Sequence, residues 1–142
     1  MSEKSIGLFP VNYLIGTELP GAPTLRLSLL VNTPDKRVNG WGRITQAVNP
    51  PVDIRTHAHG TYTYMATMKD NHILVVATGY PAVDWPPPAG TTLFPNFELR
   101  MVLADDWASG TAVYRFRTDG AWSPEVTAPV KLIASEPVQA AA

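Results

Sequence analysis

The stretch Leu25-Arg-Leu-Ser-Leu-Leu-Val-Asn-Thr-Pro-Asp35 places apolar residues at every odd position as far as Val31 and then ends in turn-forming residues. Successive side chains of a β-strand point to opposite sides, so an alternation of period two is typical of a strand that buries one face. Asn, Pro and Asp favour turns because of their backbone preferences. The stretch therefore predicts a strand followed by a turn.

The same alternation recurs along the rest of the chain, and no long segment has the period of an amphipathic helix. Phe97 to Leu103 is a second example, and Asp119-Gly120 lies where a tight hairpin turn would join two strands. Pro129 places the last strand, Val126 to Ile133, at an edge or a bulge. About eight strands of this kind predict an all-β fold, an antiparallel β-sandwich with a β-barrel as the alternative, because both folds produce the same alternation.

Three segments depart from plain alternation. Gly40 and Gly42, on either side of Trp41, predict a bent or bulged strand that leaves room for a neighbouring backbone or a large side chain. Gly60 predicts a bend or bulge at which the faces of a long strand, Asp53 to Met68, exchange. The run from Ile73 to Ala77 is apolar on both faces and predicts a central strand covered on both sides. The predicted core residues are Leu27, Leu29, Leu74, Val76, Leu99, Met101, Tyr114 and Phe116.

Length and composition limit the chain to one domain, since 142 residues with 45% hydrophobic content build a single core. We expect this domain to cover residues 1–134 and residues 135–142 to form a disordered tail. The absence of cysteine excludes disulfides and thiolate chemistry. The polar N-terminus lacks the pattern of a signal peptide, and no apolar run could span a bilayer. A cytoplasmic location is the default expectation. Export without a cleaved signal peptide is the alternative.

Charge argues against nucleic acid as a partner. The 11 basic and 12 acidic residues give a formal net charge of −1, and Lys36-Arg37 is the only adjacent basic pair. A protein that follows a phosphate backbone needs a cluster or stripe of cations. The dispersed cations of this sequence therefore predict no nucleic-acid partner.

Several segments of the sequence resemble a family of small bacterial proteins described only as a domain of unknown function. The resemblance runs from about Gly7 to Lys131 and implies a compact bacterial domain. It supplies no activity and no catalytic residues. The segments that carry it are Gly7-Leu-Phe-Pro-Val-Asn-Tyr-Leu-Ile-Gly16, Leu25 to Pro51, His72 to Pro81 and Pro95 to Phe116.

The pair His57 and His59 is the first candidate for chemistry. Two histidines separated by one residue on a strand point to the same face and can share a metal ion, with a further ligand from another strand. His72 is the only other histidine, and Asp53 or Asp70 could supply a carboxylate, but no further histidine or glutamate stands at the distance that is typical of such sites. A solvated strand face with two imidazoles is therefore the favoured interpretation, and a metal site is the alternative.

Two further patterns carry less weight. Asp105-Asp106, beside Trp107, could bind calcium or act on a sugar, but the surrounding residues are those of an ordinary turn. No serine lies in a nucleophile motif, and no glycine-rich loop with a lysine is present for phosphate. The sequence favours a protein without catalytic activity and predicts no cofactor.

The segment from Gly79 to Asn96 combines prolines with aromatic residues and has a single charge, Asp84. Proline restricts the backbone before any partner arrives, so an exposed loop of this kind loses little entropy when it binds. The alternative is a crossover whose Trp85 and Phe94 fold back over the core. The predicted ligand-binding residues are Tyr80, Trp85, Pro86, Pro87 and Phe94.

The sequence thus favours a binding module that recognises a protein or a carbohydrate through this rigid loop. A metal-binding protein or metal-dependent enzyme built on His57 and His59 is the first alternative. A structural subunit of a homo-oligomer is the second.

Overall fold

The computed structural model of the protein describes residues 7–66, 69–81 and 94–133, which form β-strands joined by turns and loops. Within these ranges, the chain contains no apolar helix of the length that a bilayer crossing requires. The strands in chain order are β1 (Leu8–Ile15), β2 (Thr24–Asn32), β3 (Arg37–Gln46), β4 (Val52–Ala66), β5 (Asn71–Pro81), β6 (Phe97–Ala104), β7 (Ser109–Thr118), β8 (Ala121–Trp122) and β9 (Val126–Leu132).

The sheet is antiparallel and closes on itself. Neighbouring strands pair in chain order from β1 to β7, and β9 then pairs with both β7 and β1. Eight strands therefore form a closed barrel, while the two-residue β8 extends the end of β7 as a hairpin. Closure removes the exposed edges of an open sheet. The prediction of an all-β antiparallel fold is confirmed. Of the two predicted arrangements, the β-sandwich and the β-barrel, the structure has the barrel.

The alternation in the sequence determines which side chains fill the barrel. Residues at alternate positions of each strand, such as Leu25, Leu27 and Leu29 in β2, are buried inside, and their neighbours point outward. Six of the eight predicted core residues are buried: Leu27, Leu29, Leu99, Met101, Tyr114 and Phe116.

The other two core predictions, Leu74 and Val76, are wrong. On β5 the buried residues are Ile73, Val75 and Ala77, whereas Leu74 is half-buried and Val76 is 44% exposed. An apolar run on both faces does not reveal which face is inside, because the alternation carries no polar marker there. The same result corrects the expectation that this strand is covered on both sides.

Gly60 allows two strands to approach closely without a bulge. The pairing of β4 with both neighbours continues through Gly60 without an extra residue, so the predicted bulge and exchange of faces are wrong. A Cβ atom at Gly60 would lie 1.9 Å from the carbonyl oxygen of Val76. Gly40 has the same role, since its Cβ would lie 1.8 Å from the Ser28 carbonyl oxygen, and the predicted close approach of a neighbouring backbone is confirmed there. Glycine at such positions lets strands bend into a barrel.

Trp107, in the turn between β6 and β7, closes one end of the barrel. Its side chain is buried and packs edge-on against Phe9 and Tyr62, with ring centroids 5.5 Å and 5.0 Å away. The hairpin at the opposite end has Asp119 and Gly120 at φ values of 50° and 82°, which is the geometry of a two-residue turn between β7 and β8. The hairpin predicted from Asp119-Gly120 is therefore confirmed.

Candidate functional site

His57 and His59 lie on the outer face of β4, and both side chains are exposed. Their imidazole centroids are 6.4 Å apart with an interplanar angle of 65°. The prediction that the two rings share one face is confirmed. The interior of the barrel does not require them there, since the core residues of β4 are on the opposite face.

Each imidazole stacks on an aromatic ring of a neighbouring strand. His57 lies against Trp41 of β3, with centroids 4.7 Å apart and an interplanar angle of 19°. His59 lies against Tyr80 of β5, with centroids 5.5 Å apart and nearly parallel planes, 3° from each other. The strand register produces these contacts, because Trp41 is directly opposite His57 and His59 is diagonal to Tyr80 across the β4–β5 pair. We call Trp41, His57, His59 and Tyr80 the ring cluster.

The ring cluster joins two sites that the sequence predicts separately. Tyr80 belongs to the predicted ligand loop, and the two histidines belong to the predicted metal pair. Sequence reasoning missed Trp41, which it treated only as a bulky residue between two glycines. The signal was in the alternation: Val38, Gly42 and Ile44 point inward, so Trp41 must point outward.

The other predicted loop residues fall into two groups. Trp85, Pro86 and Pro87 lie outside the described residues. Phe94 is 59% exposed, and the Arg117 guanidinium lies 5.5 Å from its ring centroid. The interpretation in which Phe94 folds back over the core is therefore wrong, because Trp107 caps the core at the other end and Phe94 faces solvent. Phe94 and Arg117 line a cleft of about 510 Å³ together with Asp53, Ile54, Pro81, Pro95, Asn96 and Gly120.

The two ends of the loop are fixed to the barrel by Thr56, a fully buried polar residue. Its hydroxyl is 2.7 Å from the side-chain oxygen of Asn96, to which it donates, and 3.4 Å from the carbonyl oxygen of Tyr80. The Asn96 amide in turn donates to the carbonyl oxygen of Arg55, at 3.3 Å. Tyr80 precedes the loop and Asn96 follows it, so this network holds both ends of the loop in place.

A family model described as a domain of unknown function, DUF1842, matches residues 6–122. The chain belongs to this family. The matched part of the DUF1842 chain contains β1 to β8 and the whole ring cluster, and it ends before β9, the strand that closes the barrel. No curated protein matches the sequence.

The described residues of this DUF1842 chain do not supply a complete metal site around the histidine pair. Among the described residues, no group of three histidine, cysteine, aspartate or glutamate side chains is arranged to hold a metal ion. Structural zinc sites use four protein ligands and catalytic sites use three. The metal site stays a prediction, and a zinc titration tests it.

The acidic pair Asp105-Asp106 of this DUF1842 chain forms part of the turn that carries Trp107. The Asp106 carboxylate accepts a hydrogen bond of 2.9 Å from the backbone N–H of Ala108. An aspartate that accepts a bond from the backbone two residues later is typical of a turn. The interpretation of this pair as turn residues is supported by that bond.

Proposed function

We propose that this DUF1842 protein is a binding module whose contact surface is the ring cluster together with the neighbouring described residues Pro81 and Phe94. One observation carries the proposal: four rings, Trp41, His57, His59 and Tyr80, stand in contact on the outside of a barrel whose core lies elsewhere. The ring pairs stabilise the sheet as cross-strand contacts, and they also present aromatic surface of the kind that dominates contact energies in binding sites.

The surface is prearranged for binding. Stacking on neighbouring rings restricts the side chains, and the continuous pairing of β3, β4 and β5 fixes their spacing. The Thr56 network holds both ends of the loop beside the cluster. A ligand that binds here loses little additional conformational freedom in the protein, which favours affinity. The ligand class is a carbohydrate or a protein segment, since both use aromatic contacts with hydrogen-bond donors at the ring edges.

An NMR titration of the isotope-labelled protein with a panel of oligosaccharides tests the proposal. We expect amide shifts confined to residues 39–43, 55–61 and 78–81. Trp41→Ala should abolish these shifts, and the matched variant Trp122→Ala, which removes an indole from the outside of β8, should retain them.

Two results would count against this function. Shifts confined to residues far from β3, β4 and β5 would move the site elsewhere. Unchanged binding in the Trp41→Ala variant, with its fold verified by circular dichroism, would show that the rings are not the contact surface.

A further inference from the structure

We infer that the ligand of this binding surface is an acidic polysaccharide, held by a row of arginines beside the ring cluster. The inference rests on the proposed function and adds the chemistry of the ligand. It begins from charge: eight of the 11 lysine and arginine residues lie in the described strands, whereas only Asp53 and Glu98 of the 12 acidic residues do. The barrel wall is therefore basic although the formal net charge is −1.

Three of these cations stand side by side. Arg26 of β2 is directly opposite Arg43 of β3, and Arg43 is directly opposite Arg55 of β4. Residues in such positions have Cβ atoms about 5 Å apart, so the row spans roughly 10 Å. The next row toward the other end of these strands contains Trp41, His57 and Tyr80. The arginine row and the ring cluster thus form one continuous surface across β2 to β5.

Among the described residues, Arg43 is the one arginine of the row that has an acidic partner. Arg43 donates two hydrogen bonds to Asp53, of 2.9 Å and 2.7 Å, and these bonds hold the pKa of the Asp53 carboxyl below its usual value. Within the described residues, neither Arg26 nor Arg55 forms an ion pair. Arg26 and Arg55 lie on either side of the paired Arg43, and both side chains are exposed. Their guanidinium groups can therefore form charge-assisted hydrogen bonds with a ligand.

The geometry favours an acidic polysaccharide over nucleic acid. Guanidinium groups bind carboxylates and sulfates through charge-assisted hydrogen bonds, and the N–H edges of the rings suit sugar hydroxyls. Acidic residues occupy the loops at both ends of the barrel, including Glu18 and Asp119 at one end and Asp35 and Asp105 at the other. These carboxylates repel a long nucleic-acid strand that would bind along the barrel axis. A short acidic segment lying across the strands, along the arginine row, avoids them.

Calorimetric titration with oligogalacturonate, a heparin oligosaccharide and methyl-esterified oligogalacturonate tests the inference. We expect at least one acidic probe to bind and the uncharged ester to bind at least about tenfold more weakly, since it offers no charge-assisted bond. Arg55→Gln should weaken binding about tenfold, and the matched variant Lys131→Gln, on β9, should not. Asp53→Asn should strengthen binding, because it releases Arg43 to the ligand.

A stability measurement separates a binding role from a structural one. Arg55→Gln should leave the urea midpoint nearly unchanged, because Arg55 is exposed and forms no ion pair within the described residues. A lowered midpoint with unchanged glycan affinity would overturn the inference.

The remaining outcomes distinguish the inference from the proposed function. Equal affinity for the acidic and esterified glycans, with both lost in Trp41→Ala, would overturn the acidic ligand and keep the ring cluster as a binding surface. Tighter binding of an oligodeoxythymidylate than of either acidic glycan would assign the wall to nucleic acid and overturn the inference. Failure of both acidic probes to bind would also overturn it, whereas the separate NMR panel decides the proposed function.

Discussion

The Tyr13 hydroxyl donates a hydrogen bond of 2.7 Å to the backbone carbonyl oxygen of Trp107, and the two residues are 94 positions apart in the chain. Trp107 has a φ of 64°, a left-handed conformation that costs about 1–3 kcal/mol for a bulky residue. Burial of the indole against Phe9 and Tyr62 offsets this cost. The bond from Tyr13 fixes the turn that closes the barrel.

The first prediction concerns this bond. Tyr13→Phe should lower the free energy of unfolding by about 1–3 kcal/mol, because it leaves a buried carbonyl oxygen without its donor. Urea denaturation measures the change. Tyr114→Phe is the matched control: among the described residues the buried Tyr114 hydroxyl has no hydrogen-bond partner, so its removal should be neutral or stabilising. Equal losses in the two variants would contradict the role assigned to the Tyr13 bond.

Removal of the Trp107 side chain should open one end of the core. Trp107→Ala is expected to lower the free energy of unfolding by about 3–5 kcal/mol, since it creates a large cavity beside Phe9 and Tyr62. Trp122→Ala serves as the control, because Trp122 is only half-buried and its ring lies 4.5 Å from the Arg115 guanidinium on the outside. We expect a loss of about 1 kcal/mol there. Thermal and urea unfolding of both variants decide whether Trp107 caps the barrel.

Gly79 and Thr56 should be energetically coupled. A Cβ atom at Gly79 would lie 2.1 Å from the Thr56 hydroxyl oxygen, so Gly79→Ala forces a collision beside the loop and should cost about 1–3 kcal/mol. Thr56→Ala removes that oxygen and, separately, the bond to Asn96. The double variant should therefore be about 1 kcal/mol more stable than the sum of the single losses predicts. Strict additivity in urea denaturation would show that the two side chains do not share this space.

Alkaline pH should unfold the protein through its tyrosines. Burial raises the pKa of Tyr114 to about 12, and it also raises the pKa values of Tyr13 and Tyr62. A folded-state pKa above the unfolded value stabilises the protein fully below about pH 10, and this stability is lost as pH rises toward the folded-state values.

Phenolate absorbance of the five tyrosines measures this effect. Tyr13, Tyr62 and Tyr114, whose pKa values are raised by burial, should ionise together as the fold is lost. Ionisation of Tyr13, Tyr62 and Tyr114 while the protein keeps its native far-ultraviolet circular dichroism would contradict the prediction.

The sequence by itself determined the class of the fold and most of its core. Alternation identified the strands and the buried residues of β2, β6 and β7, because the polar residues between them mark the outer face. It failed at Leu74 and Val76, where both faces of the strand are apolar. It also failed at Gly60, because a glycine within a strand is compatible both with a bulge and with uninterrupted strand pairing. It placed His57, His59 and Tyr80 among the candidate residues, but in two separate sites.

Tertiary structure decided what those residues form together. Strand register is a relation between distant segments, so no local pattern places Trp41 opposite His57 or aligns Arg26, Arg43 and Arg55 across three strands. In the sequence these arginines are dispersed and nearly cancelled by acids. Most of the lysines and arginines lie in strands, and most of the acidic residues lie outside the strands. When the sheet closes, the cations are therefore placed on the barrel wall. Long-range pairing therefore created the surface on which we base both proposals.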